Sequence, residues 1–178
     1  MIGFMVLSMP RSGSAWAANW LSNGASLCLH DPVLERDLGA LDQWAADSRP
    51  LVLGIADTAF ALDADRINQH PAPKVILHRP LEDVQASLER LGLTRLGRAW
   101  RGALWRITGL HLPHSSLWDP VFADDIHERL LGRKMTLAER TRHKLLCGLR
   151  VEADLARVPV RPAAVAAFRA RIEGALAQ

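Results

Sequence analysis

Apolar residues fall in four short runs, separated by segments in which they recur every three or four positions. The runs 4–7, 25–29, 51–57 and 74–77 have strand length and are bounded by Gly, Pro, Asn and Asp. Between them the spacing is helical. Residues 15–22 place Trp16, Trp20 and Leu21 on one side and stop at Asn23-Gly24. Residues 34–46 repeat the pattern with Leu34, Leu38, Leu41 and Ala45, and a short helical segment covers 62–69. After Pro80, which suits a first helical turn, Leu81, Val84, Leu88 and Leu91 form one stripe. Beyond residue 92 the pattern is helical and less regular. "LTRLGRAWRGALW" (93–105) is rich in arginine and tryptophan, "HLPHSSLWDP" (111–120) reads as a loop, and 124–132, 137–149 and 165–176 read as helices.

Strands alternating with helices require crossover connections, hence a parallel sheet covered on both faces. The expected fold is α/β, a P-loop-type parallel sheet sandwiched by helices with a helical C-terminal part, forming one domain over residues 1–178. In such sheets ligands bind beyond the carboxyl ends of the strands. The strand ends therefore become site candidates: residues 8–14, His30-Asp31, Asp57 and His78-Arg79.

Composition narrows the classes little. The chain has 178 residues, is 49% hydrophobic and carries a net charge of +3, with most of the positive charge on arginine. No basic cluster argues for nucleic acid, and no apolar stretch argues for a membrane span. Cys28 and Cys147 are too few for a disulfide framework and lack metal-ligand spacing, so a reducing, cytoplasmic setting is expected.

The segment "FMVLSMPRSGSAWAANWLSNG" (4–24) has the strand–turn–helix layout of a phosphate-binding loop without its lysine. Aligning Gly13 with the second glycine of a Walker A loop puts Ser14 at the lysine and Ala15 at the magnesium ligand. A backbone cradle at a helix start survives such changes, because it depends on N–H groups rather than side chains. Metal-assisted phosphoryl transfer does not.

"MPRSGSAW" (9–16) resembles the 5′-phosphosulfate loop of the sulfotransferases that use 3′-phosphoadenosine 5′-phosphosulfate. "VILHRPLEDVQASLERLG" (75–92) resembles their 3′-phosphate unit, with Arg79 ending a strand and Ser87 eight residues on. The resemblance implies that Arg11, Ser12, Gly13, Ser14, Ala15 and Trp16 hold the 5′-phosphosulfate end of the donor. Arg79 and Ser87 would hold its 3′-phosphate, and Arg11 would also stabilise the transferring group. The implied product is adenosine 3′,5′-bisphosphate, and no metal is required. The acceptor would be a hydroxyl or amine on a small molecule or glycan. Ala15 departs from the family, which has a second hydroxyl there.

A base for the acceptor is sought at His30, then at Asp57, and both residues also fit simple turn and capping roles. Trp16 and Trp20 fit a buried stripe equally, while Trp100 and Trp105 fit either an acceptor pocket or internal packing. Two rival functions remain: a non-catalytic nucleotide-binding or assembly module with a degenerate loop, and a small P-loop kinase.

Overall fold

In a computed structural model, residues 1–48, 50–90 and 98–148 are described, with the isolated helical positions 170 and 174. The chain builds a five-stranded, all-parallel sheet with helices on both faces. The strands are β1 (Phe4–Ser8), β2 (Ser26–His30), β3 (Val52–Asp57), β4 (Lys74–His78) and β5 (Leu110–Pro113), in the spatial order β2-β3-β1-β4-β5. The helices are α1 (Ser14–Leu21), α2 (Leu38–Asp47), α3 (Ala64–Gln69), α4 (Leu81–Glu89), α5 (Arg98–Trp105), α6 (Pro120–Leu131) and α7 (Leu137–Gly148). The expected helix at 165–176 falls almost wholly outside the described residues.

The central strands are apolar at nearly every position because both faces are covered. Along β1, Met5 and Leu7 join a core with Leu38 and Leu41 of α2, Ile67 of α3 and Leu104 of α5. Phe4 and Val6 turn to the other face and pack with Trp20 and Leu21 of α1 and Ile126 and Leu130 of α6. At Gly54 in β3 the backbone meets the Phe4 ring so closely that an added Cβ would lie inside it. Gly54→Ala is therefore expected to destabilise the fold by about 1–3 kcal/mol through overpacking, measured as a lower urea midpoint. An unchanged midpoint would show that Phe4 moves aside freely.

Three expectations need correction. The loop expected at 111–120 begins instead within the edge strand β5, paired with β4 from Val75↔Leu110 to His78↔Pro113. An edge strand has one neighbour, so it tolerates a histidine and a proline that obscure the apolar run. The helix expected from residue 34 begins at Leu38. Pro32–Leu34 is a separate 3-10 turn, and Asp37 caps α2 by accepting from the Ala40 N–H at 2.9 Å. In the same way Asp119 caps α6 ahead of Pro120, four residues before the helix expected at 124–132.

The strand order contains a switch. From β1 the chain moves to the β2–β3 side, and from β3 it crosses β1 to reach β4. The loops leaving β1 and β4 therefore diverge to opposite sides. In open parallel sheets such a divergence at the carboxyl end is where ligands bind.

Candidate functional site

The loop after β1 lies at that carboxyl end, between β1 and α1. Arg11 and Gly13 both have positive φ, 65° and 94°, so the chain doubles back before entering α1. At Gly13 a side chain would be strained by this φ and would also meet Leu117 Cδ1 at 2.8 Å. Gly13 gives α1 no side-chain cap. The N–H groups of the first turn are thus left for water or an anion, at the positive end of the helix dipole. Ser8 and Ser12 are fully buried, and neither hydroxyl has a partner among the described residues. Ala15 is exposed.

The two segments singled out from sequence meet here. The Arg11 Nε–H donates to Ser87 Oγ at 3.0 Å, and Arg79 Nη1 donates to the Arg11 carbonyl at 2.6 Å. Ser87 is 3% exposed on α4. Arg79 Nε is buried without a partner among the described residues. Burial lowers the basicity of the Arg11 guanidinium, and the nearby charges of Arg79 and Arg90 lower it further. An anion held beside Arg11 would relieve this repulsion.

The expected bases lie on the other side of the loop. His30 is exposed at the end of β2, with Nε2 at 3.1 Å from Ser14 Oγ and 3.4 Å from Asp31 Oδ2. The same ring nitrogen faces both groups, so this is not the relay arrangement of a hydrolase triad, which uses one nitrogen for each. Asp57 is fully buried. Its carboxylate accepts from the Val33 N–H at 2.9 Å and the Ala59 N–H at 2.6 Å. Asp31 returns the arrangement by accepting from the Thr58 N–H at 2.6 Å. Burial, and then the charge of Asp31, push the Asp57 carboxyl up to about 7 against the pull of its two N–H bonds. Asp57 thus clamps the ends of β2 and β3 together and presents no free edge to a ligand.

Trp16 turns toward α7. Its indole N–H donates to the Leu146 carbonyl at 3.3 Å, and its ring packs on Trp20, Trp118 and His143. Trp118 was not read from sequence as a site residue. It ends the 3-10 turn after β5 and lies 39% exposed, near enough to Gly13 to touch any side chain there. The missed β5 hid it, because a strand ending at residue 113 is what brings this turn over the loop.

Among the described residues no group of three or more His, Cys, Asp or Glu side chains is placed to hold a metal ion. No described helix is long and apolar enough to cross a membrane. Compared with protein-family models, with curated proteins and with solved structures, the chain gives no match in any of the three.

Proposed function

We propose that this protein is a sulfotransferase that takes its sulfuryl group from 3′-phosphoadenosine 5′-phosphosulfate. The observation that carries the reading is the meeting of the two sequence motifs through Arg11, Ser87 and Arg79. A tight turn needs no arginine, and a helix needs no buried serine. Their junction at the switch of a parallel sheet is what a ligand with two separated anionic ends requires. The orphaned Ser12 hydroxyl, the buried Arg79 Nε and the uncapped α1 add donors beside the same junction.

The donor supplies an activated sulfuryl group. The α1 N–H groups and Ser12 and Ser14 would seat its 5′-phosphosulfate, with Ala15 contributing backbone only. Arg11 would swing from Ser87 toward the transferring group and neutralise the charge that builds there. Arg79 and Ser87 would retain the 3′-phosphate, and Trp16 would border the nucleotide. His30 is assigned to take the acceptor's proton, supported by its exposure and its place beside Ser14, whereas the enclosure of Asp57 supports a structural role.

Thermal melting with nucleotides tests the reading. At a hundred times its dissociation constant, adenosine 3′,5′-bisphosphate adds about 2.7 kcal/mol, a rise of roughly 5–10 °C for a chain of this size. No metal is needed for the shift, and ATP with magnesium is expected to give little. A shift with magnesium-ATP alone would support the kinase instead. No shift with either ligand would support the non-catalytic module.

A further inference from the structure

The carboxyl ends of β4 and β5 hold side chains that the donor site leaves unused. Trp105, at the end of α5, stacks on His78 with ring centroids 3.8 Å apart and planes 18° apart. His111 lies parallel to both rings, 5.0 Å from His78 and 5.3 Å from Trp105. His111 Nε2 is 2.9 Å from the Ile107 carbonyl, which can only accept, so this nitrogen carries a proton. With both rings neutral, His111 Nδ1 is then bare. His78 Nε2, 2.7 Å away, must donate to it. That leaves His78 Nδ1 as a bare acceptor. Burial, His111 and Arg101 hold the His78 imidazolium down to about 4, which keeps this accepting form at neutral pH.

His78, Trp105 and His111 line a cleft of about 540 Å³ together with Arg79, Glu82 and Arg101. Two guanidiniums against one carboxylate make it an anion-accepting space. Trp105 keeps 54% of its surface exposed although it is a large aromatic group. Indole presented at the wall of a cationic cleft offers a flat apolar face to a ring.

We propose that this cleft is a second ligand site, built for a small aromatic acid that also carries a hydroxyl or N–H donor. The ring lies against Trp105, the anionic group meets Arg101 beside Arg79, and the donor reaches His78 Nδ1. Glu82 disfavours a second anionic group on the same ligand. The inference goes beyond the donor reading and does not depend on which ligand the β1 loop takes.

Calorimetric titration of the 178-residue chain with 4-hydroxybenzoate tests it. Binding in the millimolar range or tighter is expected. Benzoate, which lacks the donor, and 4-hydroxybenzamide, which lacks the charge, should each bind about tenfold more weakly. Arg101→Gln and Trp105→Ala, both at exposed positions, should each weaken 4-hydroxybenzoate by about tenfold or more while the circular dichroism melt is retained. Failure of 4-hydroxybenzoate to bind overturns the proposal. So does binding that neither variant alters, or binding displaced by adenosine 3′,5′-bisphosphate and indifferent to Arg101→Gln, which would put the acid in the loop. The titration can be read whether or not the bisphosphate binds, so its failure and the failure of the donor reading are separate results.

Discussion

Arg11→Ala is expected to lower sulfuryl transfer by about 10²–10³-fold, the range seen when one preorganised donor is removed from a developing charge. The fold should survive. Arg11 is only half-buried, and its backbone, not its side chain, receives the Arg79 bond that ties the two loops. Alanine keeps that carbonyl and bears the same positive φ of 65° at no greater cost than arginine. Affinity for adenosine 3′,5′-bisphosphate should fall less steeply, because Ser87 and Arg79 remain. Single-turnover conversion of the sulfate donor to the bisphosphate, with matched thermal melts, separates chemistry from folding. Normal conversion by a folded Arg11→Ala protein would sink the assigned role of this residue. Arg11→Lys is expected to recover charge but not the forked geometry, and so only part of the rate.

The second large effect is on stability. Asp57→Ala removes the acceptor of two buried N–H groups, those of Val33 and Ala59. At about 1–3 kcal/mol for each orphaned group, the loss at pH 5 should reach roughly 2–6 kcal/mol. Its pH dependence identifies the cause. The Asp57 carboxyl titrates at about 7 in the folded chain, against about 3.9 when unfolded. Between those values the folded state keeps a proton that the unfolded state has lost. Stability contributed by this group is therefore complete below about pH 4 and is lost as pH rises toward 7, by at most about 1.4 kcal/mol per unit. Asp57→Ala should remove that slope, so the variant lies furthest below the parent near pH 4–5 and approaches it near neutrality. Urea midpoints measured across this range check it. Parallel curves for the two proteins would mean that Asp57 stays ionised inside the fold.

Much of this architecture was legible without coordinates because its signals are local. Strands β1, β3 and β4 are apolar on both faces and bounded by turn residues, which is how buried parallel strands read. The expectation for β2 lay within a residue of Ser26–His30, since Asn23-Gly24 and Asp31-Pro32 bracket it on either side. Position in the sheet blurred the rest. As an edge strand, β5 carries half-buried residues and a histidine, so its four positions hold no continuous apolar run. The start of α2 was misplaced because Leu34 continues the helical spacing through a 3-10 turn that Pro32 and the Asp37 cap separate from it.

For the site, the sequence by itself determined which residue types stand at the strand ends: an arginine–serine–glycine turn after β1, and an arginine with a serine two helical turns on after β4. Spacing along one strand–helix unit is a local property, and a single chain records it. Only the tertiary structure decided that Arg11 reaches Ser87 across 76 positions, that Asp57 closes on Val33 and Ala59, and that Trp118 comes over Gly13. It also decided that His78, Trp105 and His111 stack into one wall. Each of these is a contact between segments far apart in the chain. Such contacts follow from the strand order β2-β3-β1-β4-β5, which the packing of two cores against one sheet selects and no local pattern encodes.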